Sequence, residues 1–82
     1  MQRCLFETSE HCGSTIRYYL LTAILTDGLK SYGIEVEFAG ETALIPDITV
    51  SRTGIGQLLG VLARGDVTPI TARDIVEDWL LA

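Results

Sequence analysis

The polar and apolar positions of this chain change period once. Up to about residue 50 they alternate, and beyond it apolar residues recur three and four apart, the spacings of strands and of helices respectively. The alternation is clearest between Ser31 and Phe38, the second half of a stretch that begins at Thr15. Residues 15–26 are dominated by β-branched, aromatic and leucine side chains, with no helix cap and no polar stripe at helical spacing, which predicts a strand. A second strand over 29–39 places Tyr32, Ile34, Val36 and Phe38 on one face, with Ser31, Gly33, Glu35 and Glu37 on the other. Between the two stands Asp27-Gly28, the strongest short hairpin signal in the chain, because both central positions of a type I′ turn need φ > 0.

A strict two-residue loop at Asp27-Gly28 has a consequence for the faces. Tyr32 then pairs with Ala23, Ile34 with Leu21 and Val36 with Tyr19, which leaves Tyr18, Leu20 and Ile24 on the far face. These three are the candidate interface residues. Either a bulge shifts the register by one residue, or the second face of the sheet is covered by another chain.

The remaining elements follow from the same patterns. Residues 3–9 alternate loosely and predict a first strand, which Glu10 to Ser14 turns back onto the second. Ala39-Gly40-Glu41 marks the next turn, and 42–50 a fourth strand that Pro46 confines to an edge or an end, because proline cannot donate to a ladder. Ile55, Leu58, Leu59 and Leu62 then form a helical stripe, capped by Ser51 or Thr53, weakened by Gly54, Gly56 and Gly60, and terminated by Gly65 at C′. In the last segment Thr71 and Asp74 read as a capping box, with Ile70 and Ile75 as its hydrophobic staple. Its buried stripe is Ile75, Val76, Trp79 and Leu80, with Glu77 and Asp78 toward water. The expected fold is one α+β domain over residues 1–82. A four-stranded antiparallel meander (about 3–9, 15–26, 29–39 and 42–50) precedes a helical hairpin (about 52–64 and 71–81) packed on one face.

Composition adds a reason to expect a partner. A chain of 82 residues buries only about 60 to 65% of its unfolded surface. Yet 48% of its residues are hydrophobic and mean hydropathy is +0.32, so some apolar surface is expected to be covered, most simply by a second copy. Eleven acidic residues against six basic ones give a net charge of -5, which disfavours nucleic acid and anionic membranes. Arg3, Arg17, Lys30, Arg52, Arg64 and Arg73 are scattered singly, with no basic stripe to override that average. The apolar run from Tyr18 to Leu25 is far short of the roughly 20 residues of a membrane span. MQRCLFETSE has no apolar signal-peptide region, which predicts a reduced, cytoplasmic protein with Cys4 and Cys12 as free thiols.

Candidate chemistry is sparse. Cys4, His11 and Cys12, with Glu7 and Glu10 nearby, are the one group with metal-ligand side chains, but zinc needs a fourth ligand and a spacing that this group lacks. As ordinary turn residues and small thiols they need no metal. TGIGQLLG has the glycines of a phosphate cradle without the dinucleotide spacing or the P-loop lysine, and close packing against the sheet or a twin helix accounts for Gly56 and Gly60. Tyr18, Tyr19 and Tyr32 suit either an interface or a core whose hydroxyls reach the surface. Glu35/Glu37 and Glu77/Asp78 fit solvated faces, and no carboxylate stands in a context that would bury it. No catalytic residue and no cofactor is assigned.

The segments YYLL, DGLKSYGIEVE, IPDITVSR and IVEDWL together resemble a family of small bacterial proteins, best represented in Gram-positive anaerobes, known only as a domain of unknown function. The resemblance spans most of residues 18–81 and implies a bacterial cytoplasmic protein. It carries no established activity and therefore transfers no functional residue, and Gly54, Gly56 and Gly60 are richer in glycine than such a helix leads one to expect. The expected function is a non-enzymatic protein-interaction or regulatory module acting as a homo-oligomer. The alternative is a small-ligand or metal-binding protein using Cys4, His11 and Cys12.

Overall fold

The computed structural model describes residues 1–82. Strands β1 (Gln2–His11), β2 (Ser14–Ile24), β3 (Lys30–Phe38) and β4 (Glu41–Thr49) form one antiparallel sheet in the order β1-β2-β3-β4. Helices α1 (Arg52–Arg64) and α2 (Pro69–Leu81) follow and pack on it. This is the α+β architecture that the change of period predicts. No helix is long and apolar enough to cross a membrane.

The three hairpins use two kinds of turn. At Cys12-Gly13 (φ 52° and 80°) and Ala39-Gly40 (φ 51° and 83°) both central residues have positive φ, and the flanking pairs His11↔Ser14 and Phe38↔Glu41 close two-residue loops, the type I′ arrangement. Asp27-Gly28 behaves differently. Only Gly28 has positive φ there (86°). The Gly28 N–H donates to the Leu25 carbonyl at 2.9 Å and the Leu25 N–H to the Leu29 carbonyl at 2.7 Å, which makes Thr26-Asp27-Gly28 a three-residue loop ending in a left-handed glycine. Asp27 Oδ1 accepts from the Leu29 N–H at 3.1 Å, an Asx interaction that holds Asp27 in this looser turn.

That one extra loop residue corrects the predicted register. Thr22 pairs with Tyr32, Leu20 with Ile34 and Tyr18 with Val36, so Tyr18 and Leu20 share a face with Ile34 and Val36 instead of opposing them. The core lies on that face. Ile16, Tyr18, Ile34, Val36, Ala43 and Ile45 of the sheet meet Ile55, Leu58, Leu59, Leu62 and Ala63 of α1 and Ala72 and Val76 of α2, with Leu20, Tyr32, Phe38 and Trp79 packed around them.

Two irregularities shape the edges. β1 carries a bulge at Phe6, between the pairs Leu5↔Tyr19 and Glu7↔Tyr18. On the other side β4 gains two residues against β3, between Ile34↔Ile45 and Tyr32↔Thr49. Pro46 and Asp47 (φ 55°) sit in that break, which agrees with the edge placement expected of Pro46. Gly33 makes it possible, since a Cβ there would come within 2.4 Å of the Ile45 carbonyl oxygen and 2.6 Å of Pro46 Cα.

Helix boundaries differ from the expected ones in two places. Ser51 caps α1 as predicted, its hydroxyl accepting from the Gly54 N–H at 2.9 Å. At the other end Gly65 keeps φ -90° and Asp66 takes the left-handed conformation (φ 49°). With Asp66 N–H on the Ala63 carbonyl and Val67 N–H on the Leu62 carbonyl, the terminator is a Schellman motif with Asp66, not Gly65, at C′. α2 starts at Pro69 instead of Thr71, because the residue before a proline is driven to extended backbone and proline suits the first helical position. Thr68 (φ -91°, ψ 168°) is therefore the N-cap, and Thr71 lies within the helix. The earlier start adds Pro69 and Ala72 to the buried stripe, in which Val76 is buried and Ile75 and Trp79 half-buried as expected, while Leu80 lies at the surface.

Candidate functional site

The helices cover one face of the sheet, β1 included, which leaves the opposite face and the outer edge of β1 open. All β1 residues except Ser9 are exposed. Leu5 (52% exposed) and Phe6 (38%) stand on β1, with Met1 (73%) just before it, while Ile24 (74%), Leu25 and Leu29 crown the tip of the β2–β3 hairpin. Met1, Gln2, Thr22, Ile24 and Lys30 line one cleft there, which joins Met1 to Ile24.

On the open face the register aligns Arg3, Tyr19 and Glu35. Arg3 Nη1 lies 2.9 Å from Glu35 Oε2 and its guanidinium carbon 4.3 Å from the centre of the Tyr19 ring, a cation-π placement. The hydrogen bond and charge of Glu35 push the Arg3 guanidinium above its ordinary pKa. Glu35 is only 8% exposed, which corrects the expectation that no carboxylate here is buried. Arg17 and Glu37 form a looser pair alongside at 3.4 Å, and Ser31 donates to Asp47 at 3.0 Å. These residues are far apart in sequence, and Arg3 reaches them only because the Phe6 bulge sets the register of β1 against β2. Alternation had placed Glu35 on this face; its cationic partner had no sequence signal.

Each candidate named from sequence has a definite place. Tyr18 is fully buried and Leu20 half-buried in the chain's own core, which withdraws Tyr18 from any contact with a second chain, whereas Ile24 is exposed beyond the helices. Cys4, His11 and Cys12 do not assemble into a site. Cys4 and His11 are seven positions apart on one strand, about 23 Å at the usual rise, and no group of three or more His, Cys, Asp or Glu is placed to hold a metal ion. Both cysteines are free and exposed, and His11 packs edge-on against Phe38 at 5.6 Å. A Cβ at Gly56 or Gly60 would meet neither the sheet nor another helix, its nearest neighbour being a guanidinium nitrogen of Arg52 or Arg64 at 3.2 Å.

What the open surface offers is chemistry of association. No buried side-chain nitrogen or oxygen lacks a partner, so no unsatisfied buried group is left aimed at a ligand. A family model described as "Family of unknown function (DUF6514)" matches residues 3–82. The chain belongs to the DUF6514 family. The match includes β1 from Arg3 onward, so the exposed strand is part of the DUF6514 unit. No curated protein and no solved structure matches this DUF6514 chain.

Proposed function

We propose that this protein is a non-enzymatic interaction module that works as a homo-oligomer. One observation carries the reading: of twelve exposed large apolar side chains, six (Met1, Leu5, Phe6, Ile24, Leu25 and Leu29) stand on or just before the edge strand β1 or at the neighbouring hairpin tip, and Met1 and Ile24 share one cleft. Scattered apolar residues on a surface are ordinary, but a gathered set of this kind marks an interaction site. The polar residues of the open face complement one another within the chain, Arg3 with Glu35 and Arg17 with Glu37, which suits a rim around an apolar contact better than a reaction centre. The net charge of -5 favours protein over nucleic acid as the partner. The resemblance of YYLL, DGLKSYGIEVE, IPDITVSR and IVEDWL to small bacterial proteins supports a bacterial, cytoplasmic setting. Sedimentation velocity over a concentration series tests the reading. The expected result is a mass above that of the 9.0 kDa chain, rising with concentration, and a constant single-chain mass would refute it.

A further inference from the structure

The two edges of the sheet are not equivalent. β4 is closed to strand addition by Pro46, by the left-handed Asp47 and by the two-residue break in its ladder, all devices that blunt an edge. β1 has ten residues, no proline and no lysine, and although α1 reaches over one of its faces and a bulge interrupts it at Phe6, its outer edge has no strand partner. A sheet with one blocked edge and one available edge pairs once and stops, giving a closed dimer instead of a fibre.

We propose that β1 pairs antiparallel with β1 of a second copy across a two-fold axis, with Arg3 opposite the partner's Glu10 and Leu5 opposite the partner's Thr8. This rests on the self-association reading above and names its surface. Alternate residues of an antiparallel strand turn their backbone groups to opposite sides. Counted from the His11↔Ser14 pair and through the bulge, Glu10, Thr8, Leu5 and Arg3 are the residues of β1 whose backbone faces away from β2. The proposed register matches these four with one another. It also sets the two bulges level, each strand contributing its extra residue at the same height, so that pairing continues through the centre. Opposite charges meet at both ends. Arg3 commits Nη1 to Glu35 and keeps further donors for the partner's Glu10, while Glu10 itself contacts only the Thr15 hydroxyl. Leu5 and Phe6 of both copies then lie around the axis, and the result is a continuous eight-stranded sheet.

The test combines sedimentation with amide hydrogen exchange on wild type, Thr8→Pro and Glu10→Arg. Wild type is expected to be a dimer in which the Leu5 and Thr8 amides exchange slowly and become fast on dilution. Thr8→Pro removes an outward N–H that the monomer does not use, and is expected to give monomers with unchanged circular dichroism. Glu10→Arg sets like charges together twice and is expected to raise the dimer Kd about tenfold. A wild-type dimer whose Leu5 and Thr8 amides stay fast, or a dimer that survives Thr8→Pro, overturns the β1 pairing and leaves self-association standing through another face. A wild-type chain that is monomeric throughout overturns both. Should Thr8→Pro fail to fold, the exchange of the two wild-type amides decides alone.

Discussion

The Tyr18 hydroxyl donates to the Val67 carbonyl at 2.8 Å, tying the middle of the sheet to the loop between the two helices. Tyr18 is fully buried, so this bond satisfies both its own hydroxyl and a carbonyl just beyond the Schellman turn of α1. Burial pushes the Tyr18 phenol from 10.0 up to about 12, helped by the negative charges of Asp66 and Glu7. Tyr18→Phe is expected to cost about 1 to 2 kcal/mol, the effect of leaving a part-buried carbonyl without its donor, measured by urea unfolding at neutral pH.

The same residue sets an alkaline limit. The unfolded phenol titrates near 10 and the folded one near 12, so above pH 10 the unfolded state has lost a proton that the folded state retains. The stabilisation is whole below pH 10 and is lost as pH rises through 12, with a slope approaching about 1.4 kcal/mol per pH unit inside that window. Unfolding free energies measured from pH 9 to pH 12 should show this extra fall in wild type and lack it in Tyr18→Phe.

Asp66 occupies the C′ position with φ 49° while accepting a hydrogen bond from the Ser9 hydroxyl. Asparagine tolerates the left-handed conformation better, keeps an acceptor for Ser9 and removes a negative charge from the C-terminal end of a helix. Asp66→Asn is expected to stabilise by about 0.5 to 1 kcal/mol and to move the Tyr18 titration downward. Thermal melts and phenolate absorbance against pH are the respective measurements, and an unchanged Tyr18 titration would show that Asp66 does not act on the phenol.

Gly33 has no room for a side chain. The atoms that a Cβ would strike, the Ile45 carbonyl oxygen and Pro46 Cα, are backbone and cannot swing aside. Gly33→Ala is expected to destabilise by about 3 kcal/mol or more, whereas Gly56→Ala, whose neighbour is the flexible end of Arg52, should stabilise its helix by up to about 1 kcal/mol. Denaturant midpoints of the two variants should move in opposite directions.

Removing Thr26 would leave Asp27-Gly28 as the two-residue loop that its sequence suits. Leu25 and Leu29, which already flank the loop, would remain its closing pair, so the register would hold and Tyr18 and Leu20 would stay on the core face. This deletion variant is expected to unfold cooperatively, as is an exposed substitution such as Thr26→Ser, with midpoints near that of wild type. Far-UV circular dichroism with a thermal melt checks both, and a deletion variant without cooperative unfolding would contradict the account of the loop.

The sequence by itself determined the number, kind and order of the elements, because period-two and period-3.6 patterns are local properties of side-chain order. It likewise confined Pro46 to an edge or an end, narrowed the α1 cap to Ser51 or Thr53 and determined the buried stripe of α1, each a matter of one turn of backbone. Register was a different matter. Asp27-Gly28 satisfies either a two- or a three-residue loop locally, and the balance fell to the longer one, which brings Tyr18 and Leu20 onto the core face. Near the surface, Pro69 overrode the Thr71 capping pattern by fixing the backbone of Thr68, and Asp66 took the place expected of Gly65. The Arg3, Tyr19 and Glu35 grouping and the open β1 edge were decided only by tertiary structure. The first depends on a bulge at Phe6 and the second on the order of the strands, and cross-strand register and strand order couple residues too far apart for any local pattern to encode.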